Sequence, residues 1–419
     1  MKILVFNAGS SSLKYKLFDC DTTVVDEKGN PDPQLDTLSS GNVENIGLEN
    51  PHFINRNVLG ETFQAVDVAD LDEAFDLVIK ALVDIPGAPL DDLSEVDAIG
   101  HRVAHAGDKF SCSMKVDEHV IDVIRQYSDL APLHNPFAIH SIQRTKELFP
   151  KAMQVAAFDT AFHQTMPRRS YIYPIPYRYY EKYGIRKYGF HGISHKYVSR
   201  RAAEFLHKDL RTLKMITCHI GAGASLCAID HGYSMDTSMG YTPLDGVMMN
   251  TRSGSVDPAI ITAIMEKENL TPHQMDEILN KESGFLGVSG TSSDLRDLKE
   301  VIRYGDTQAE LAYDIFLFSI RRTIGSYAFE LAGIDAIVLT AGVGEHDSYA
   351  RRLIFRGLEP FGIEIDEARN HSSSNKERII STDRSSVKVL VIPTDEEAEI
   401  ANDTALIALG VDISDPWAY

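Results

Sequence analysis

The chain has 419 residues, of which 43% are apolar and 24% charged, and a formal net charge of −20. This is the composition of a globular chain with room for two domains, and its charge argues against nucleic acid and anionic membrane surfaces as partners. No apolar stretch reaches about 18 residues, so no transmembrane helix is expected.

The N-terminal run Met1-Lys2-Ile3-Leu4-Val5-Phe6 lacks the apolar core and cleavage site of a signal peptide. It reads as a strand, and the expected location is the cytoplasm. Cys20, Cys112, Cys218 and Cys227 form no CxxC and read as reduced, mostly buried thiols. The strand leads into Asn7-Ala8-Gly9-Ser10-Ser11-Ser12-Leu13-Lys14. A glycine among hydroxyl residues suggests a phosphate loop, but no Gly-Lys-Ser/Thr closes it. Leu13, Tyr15 and Leu17 then alternate with Lys14, Lys16 and Phe18, which predicts a second strand instead of the helix of a Walker loop.

Residues 20–70 are polar and irregular, compatible with hairpins and long loops. Phe75, Val78, Ile79 and Leu82 predict one apolar face of a helix over Asp72–Ile85. "DAIGHRVAH" reads as a buried strand entering a charged loop at His101, and "VAAFDTAFH" as a strand ending at Asp159. "MITCHIGAGAS" is a strand with a glycine turn at Gly221. "AIVLTAGVGEH" is a strand, a glycine loop at Gly342 and a helical stretch from Asp347. "VKVLVIPTDEE" is a strand, then Asp395-Glu396-Glu397, then an apolar-periodic helix over Ile400–Leu409. Five buried strands thus end in polar or glycine loops, and open α/β sheets bind ligands at such ends. "ILVFNAGSSSLKYKLFD" and "MITCHIGAGASLCAID" also echo each other: strand, polar residue (Asn7, His219), small turn, strand.

The charge of −20 repels anions at long range, so an anion site must be built locally from a few cations. Arg102, Arg252, His134 and His191 all fall in loop-like motifs, and the planar guanidinium fork suits phosphate and carboxylate oxygens. "HRVAH" and "HGISH" each offer His-x3-His, but the first lacks the Glu of HExxH and neither reads as a helix interior, so zinc is set aside. Asp159 and Glu396 sit where a carboxylate could hold Mg2+. A general base at Asp159 and a helix cap at Asp395 are the alternatives.

"NAGSSSLK", "GHRVAHAG", "LAPLHNP", "FDTAFHQTMP", "RKYGFHGISHKYV", "DTSMGYTPLDG", "TRSGSVDP", "SGTSSDLRD", "TAGVGE" and "PTDEE" follow the order and spacing of the acetate kinase family. The chain resembles that family over nearly its whole length. The resemblance implies an α/β, two-domain actin-like (duplicated ribonuclease H-like) fold with an interdomain active-site cleft, as in the heat-shock ATPases and sugar kinases. It also implies in-line transfer between ATP and acetate with Mg2+ (Mn2+ substituting) in a homodimer. The expected first domain is 1–163 plus 397–419, and the second, with the nucleotide pocket and dimer contact, is 164–396.

Carried over by motif, Asn7, Asp159 and Glu396 are the expected metal set. Arg102, Arg252, His134 and His191 surround the phosphoryl group and the acetate carboxylate. Ser10, Ser12 and Lys14 form one phosphate hairpin, and His219, Gly221, Ala222 and Gly223 the other. Asp294, Leu295, Arg296, Gly342, Val343, Gly344 and Glu345 match the nucleotide pocket, and Ala104, Leu133, Phe190 and Pro243 the acetate methyl pocket.

Four loop residues depart from the family's usual pattern: Ala222 for Asn, Asn250 for Gly, His346 for Asn and Asp395 for Asn. Ala222 removes an amide that could bond a phosphate, which opens pyrophosphate as an alternative donor. Ala104, where many relatives have Val, widens the acid pocket and opens propionate as an alternative acceptor. A nucleotide-binding regulator without kinase activity would be expected to lose Arg102, His134, His191 and Asp159, and all four are present.

Overall fold

Ile3, Leu4, Val5 and Phe6 are all buried, as in a strand covered on both faces. In the computed structural model, which describes residues 1–26 and 29–414, they form the middle of an eight-stranded sheet. Its strands are β1 (Lys2–Ala8), β2 (Ser12–Asp21), β3 (Gln34–Glu44), β4 (His52–Asn57), β5 (Gly60–Ala65), β6 (Val96–Val103), β7 (Met114–Lys115) and β8 (Met153–Phe158). The order is β5-β4-β3-β2-β1-β6-β8-β7. β1 to β5 form an antiparallel meander, and β1, β6 and β8 run parallel. About half of the polar stretch 20–70 is therefore paired strand. Its residues 27 and 28 lie outside the described residues.

This sheet belongs to the first of two compact units, Met1–Gln164 with Asp395–Tyr419; the second is Thr165–Thr394. The second unit's sheet contains β9 (Lys214–Ile220), β10 (Ala224–Asp230), β11 (Tyr233–Thr237), β12 (Ala336–Thr340), β13 (Arg378–Ile379) and β14 (Lys388–Val391), in the order β11-β10-β9-β12-β14-β13. β9 to β11 are an antiparallel meander, and β9, β12 and β14 are parallel. The stretches β3-β2-β1-β6-β8 and β11-β10-β9-β12-β14 thus have the same plan. The sequence echo between the two hairpins is part of a whole-unit repetition.

Helices cover both sheets. Leu71–Val83 buries Phe75, Val78 and Leu82 with Ile79 half-buried, and the Asp70 carboxylate accepts from the Glu73 N–H at its start. Glu396–Ala408 packs on β1 and β6. Gly100 permits this approach: a Cβ there would lie 2.5 Å from Ile400 Cγ2 and 2.9 Å from Thr404 Oγ1. In the second unit Gly192–Phe205 packs on β9 and β12, and Thr307–Glu330 on β9 and β10. Among the described residues no helix is long and apolar enough to cross a membrane.

Three local expectations are corrected. β6 does not end at His101 but runs through Arg102, which pairs with Ala157 of β8. His101 tolerates this because its ring nitrogens meet Ser141 Oγ at 3.2 Å and Gln154 Oε1 at 2.7 Å. The expected glycine loop at Gly342 is a helix, Ala341–His346, and Asp347 caps the next helix, Ser348–Phe355. "HGISH" spans a helix start, with His191 at the N-cap and His195 inside the helix.

Candidate active site

Parallel pairing of β1, β6 and β8 aligns their C-terminal ends, and these carry Asn7, Arg102 and Asp159. Arg102 donates through Nε to Asp159 Oδ1 (3.1 Å) and through Nη2 to Asp159 Oδ2 (2.6 Å). Its Nη1 donates to Asn7 Oδ1 at 3.3 Å. Glu396 enters from the first position of its helix, with Oε2 3.6 Å from Arg102 Nε. The Arg102 side chain is 20% exposed and that of Asp159 3%. Burial opposes the guanidinium charge, but Asp159, Glu396 and Glu397 together outweigh it and raise the Arg102 pKa above its ordinary value. Burial pushes the Glu396 carboxyl up to about 7, with Asp159 and Glu397 adding to the shift and Arg102 and Lys14 opposing it.

This donor set fits a hard divalent cation. It offers an amide oxygen and two carboxylates, with no sulfur or nitrogen ligand. No group of three or more His, Cys, Asp and Glu among the described residues forms a metal cage. Two carboxylates with an amide oxygen suit Mg2+, which binds through one or two carboxylates and completes its shell with waters and substrate phosphates.

Nearby, the β1–β2 turn closes through the Gly9 N–H to Ser12 carbonyl bond at 2.9 Å. It leaves Ser10 and Lys14 exposed and Ser12 half-buried. Ala104 is buried just past β6. Leu133 is 60% exposed, and His134 is the N-cap of the helix Asn135–Leu148.

The second unit presents a different constellation on its own hairpin. The β9–β10 turn is closed by the Gly221 N–H to Gly223 carbonyl bond at 3.1 Å. His219, one residue before the end of β9, stacks on His191 with ring centroids 4.2 Å apart. His191 has a left-handed backbone, φ 54°, a strained state for a non-glycine residue and one that concentrates at functional positions. A Cβ on Gly223 would lie 3.4 Å from His191 Cε1, 3.5 Å from its Nε2 and 3.6 Å from Arg252 Nη1. The imidazole edge, the guanidinium and the glycine turn therefore converge. Arg252 Nη1 donates to the Pro243 carbonyl at 3.1 Å and lies 3.6 Å from Met249 Sδ. Among the described residues no carboxylate pairs with it, and burial lowers its pKa.

Phe190, beside His191, is buried in the core. Glu345 accepts from the Ala341 N–H (2.7 Å), the Thr340 hydroxyl (3.2 Å) and the Thr394 N–H (3.2 Å). Arg351, missed by sequence reasoning, is buried and donates to the carbonyls of Gly344 (3.0 Å) and Glu345 (2.9 Å). These bonds explain why the glycine-rich stretch is helical. Asp294 and Arg296 pair with each other, the Arg296 side chain being 90% exposed, and Leu295 is buried in the core. Also missed were Ser194, whose Oγ lies 2.8 Å from His219 Nδ1 and 2.8 Å from Thr394 Oγ1, and Ser225, 2.9 Å from His191 Nδ1. The second histidine of "HGISH" was the available signal.

The Acetokinase family model matches residues 2–402. An acetate kinase of Thermoanaerobacterium thermosaccharolyticum is 49% identical over 409 residues, 97% of this chain and 99% of the relative. Among solved structures, the acetate kinase of Porphyromonas gingivalis superposes with TM-score 0.88 at 41% identity, over 97% of this chain and 99% of that one. A propionate kinase of Francisella tularensis superposes with TM-score 0.85 at 37% identity, over 96% and 98%.

Proposed function

The chain belongs to the acetokinase family, and from that premise we propose that it is a carboxylate phosphotransferase working on acetate. An acetate oxygen attacks the γ-phosphorus of ATP, the bond from that phosphorus to the bridging oxygen breaks, and acetyl phosphate and ADP form. The reaction reverses along the same path. A carboxylic acid of pKa roughly 4–5 is already ionised at neutral pH, so the nucleophile needs no base. Asp159, with both oxygens engaged by Arg102, is accordingly a positioning and metal-holding group.

The observation that carries this reading is Arg252, a half-buried guanidinium with no carboxylate partner among the described residues, beside His191 and the Gly223 turn. Such a charge is stabilised when an anion with several oxygens arrives, most of all the planar group of a loose phosphoryl-transfer transition state. We assign Arg102, Arg252, His191 and His134 to the reacting phosphoryl and carboxylate oxygens. Ser10, Ser12, Lys14, His219 and Gly221–Gly223 are assigned to the phosphate chain. Asp294, Leu295, Arg296 and Gly342–Glu345 are assigned to the nucleoside, and Ala104, Leu133, Phe190 and Pro243 to the acid's methyl group. Asn7, Asp159 and Glu396 would hold Mg2+ or Mn2+, which when bound supplies positive charge to phosphate oxygens.

Ala104 favours a second acceptor. Its buried side chain is smaller than a valine, which suits propionate. We further propose a homodimer, because the helix Pro258–Glu268 buries none of its residues, and Ile260, Leu311, Ile315 and Phe318 are exposed. None of the four cysteines forms a disulfide, which suits a reducing cytoplasm. Trapping the product with hydroxylamine tests the reaction: acetate with ATP should give acetyl hydroxamate at a high rate, propionate a comparable one, and pyrophosphate in place of ATP none. No hydroxamate from either acid with ATP would overturn the reading.

A further inference from the structure

The histidine of the second unit is not alone. His191 Nδ1 lies 2.9 Å from Ser225 Oγ. The same oxygen lies 2.8 Å from His195 Nε2, and His195 Nδ1 lies 2.7 Å from Thr217 Oγ1. Thr217, His195 and Ser225 are fully or almost fully buried. These contacts form a chain of alternating hydroxyls and imidazoles. It ends at the ring whose other nitrogen lies 3.5 Å from the Cβ position of Gly223.

Hydrogen-bond arithmetic restricts such a chain. A hydroxyl has one proton to donate, and a neutral imidazole has one donor and one acceptor nitrogen. The chain therefore has two polarities. In one, Thr217 donates to His195 Nδ1, His195 Nε2–H donates to Ser225, and the Ser225 hydroxyl donates to His191 Nδ1. His191 must then carry its proton on Nε2. In the other polarity His191 Nδ1–H donates to Ser225, leaving either a bare Nε2 or a fully charged ring. A bare Nε2 offers a phosphoryl oxygen nothing. A charged ring would set a second half-buried cation beside Arg252, whose Nη1 is 3.6 Å from the same Cβ position, and like charges in a sheltered place disfavour each other.

We propose that Thr217, His195 and Ser225 are positioning residues that hold His191 as the neutral Nε2–H tautomer, a ready donor to the transferred phosphoryl group. No proton moves along the chain; it fixes which nitrogen carries one. The left-handed backbone of His191 and its stacking on His219 fix the ring's place, and the hydroxyl–imidazole chain fixes its proton. The inference rests on the phosphotransferase reading for its purpose, but the tautomer can be measured without turnover.

The test combines spectroscopy and kinetics on the full chain. Nitrogen-15 spectra of histidine-labelled protein, with His191 assigned by its loss in His191→Gln, should show Nε2 protonated and Nδ1 bare at pH 7.5. A charged or Nδ1–H ring overturns the proposal even if the enzyme is active. Ser225→Ala should lower kcat about 10–100-fold, as loss of a supporting hydrogen bond does elsewhere, with KM for acetate and ATP within about twofold. Ser225→Thr should restore most of it. Thr217→Val, which keeps shape and removes the hydroxyl, should lower kcat in the same direction and mix the His191 tautomers. Unchanged kcat in Thr217→Val with an unchanged His191 spectrum overturns the chain whether or not Ser225→Ala folds.

Discussion

Arg102 holds both carboxylate oxygens of Asp159, at 3.1 and 2.6 Å. It is the compensated arginine of the two functional candidates, whereas the Arg252 guanidinium meets, among the described residues, a carbonyl and a thioether sulfur. The contrast sets opposite expectations for stability. Removing one partner of a buried pair leaves the other charge stranded, at about 3–5 kcal/mol when burial is complete. Arg102 is 20% exposed, so Asp159→Ala should cost less than that range but still lower the thermal midpoint clearly. Turnover should fall at least about 100-fold. A double-mutant cycle with Arg102→Ala should show strong coupling.

Arg252→Ala should behave in the opposite way. The guanidinium is desolvated with no carboxylate partner among the described residues, so its loss should leave the melting temperature unchanged or raised. Turnover should fall about 10²–10³-fold, or about 2.7–4 kcal/mol. A clear loss of stability with near-normal turnover would reverse the assignment.

The close packing at Gly100 gives a steric prediction. Its Cβ would meet Ile400 Cγ2 at 2.5 Å and Thr404 Oγ1 at 2.9 Å, so Gly100→Ala should push the helix Glu396–Ala408 outward. Glu396 leads that helix. The expected result is a lower unfolding midpoint together with a raised Mg2+ requirement, read from initial rates over a metal titration. A raised requirement without loss of stability would mean that Gly100 acts some other way.

Burial lowers the His101 pKa to about 4, against about 6.5 in the unfolded chain. Between these values the unfolded chain binds the proton and the folded chain does not. The stability held by the neutral ring is complete above pH 6.5 and is lost as pH falls toward 4, by at most about 1.4 kcal/mol per pH unit. His101→Asn removes this titration. The stability difference between wild type and variant, from urea midpoints, should shrink from pH 7.5 to 5. A constant difference would contradict a neutral buried ring.

At the acid pocket, Ala104→Val adds two methyl groups where Ala104 is buried. An apolar pocket discriminates by about 1–3 kcal/mol per methylene. The ratio of kcat/KM for propionate to that for acetate should therefore fall at least about tenfold. An unchanged ratio would remove Ala104 from the pocket.

The strand-borne half of this architecture was legible because period-two alternation survives in the sequence. Leu13, Tyr15 and Leu17 declared β2, and with it a hairpin instead of a Walker helix. Arg102, Asp159 and Glu396 were legible as polar residues at the ends of buried runs, although only parallel pairing of β6 with β8 brings the first two together. Other features depend on partners distant in sequence. His101 reads as a loop residue until Ser141 and Gln154 satisfy it inside a strand. Gly342 and Gly344 read as a loop until Glu345 and Arg351 bond the backbone around them. Ser225 and His195, 30 residues apart, meet only when β10 pairs with β9 and the helix Gly192–Phe205 packs behind them.

The central claim is that this chain moves a phosphoryl group from ATP to a carboxylate by electrostatic stabilisation around Arg252. Phosphorus-31 spectra of acetate, ATP and Mg2+ with the wild-type chain and with a folded Arg252→Ala variant test it most directly. The account predicts an acyl phosphate signal and ADP growing together in the wild type, and a rate at least about 100-fold lower in the variant. Absence of acyl phosphate in the wild type, or equal rates in the two proteins, would contradict it.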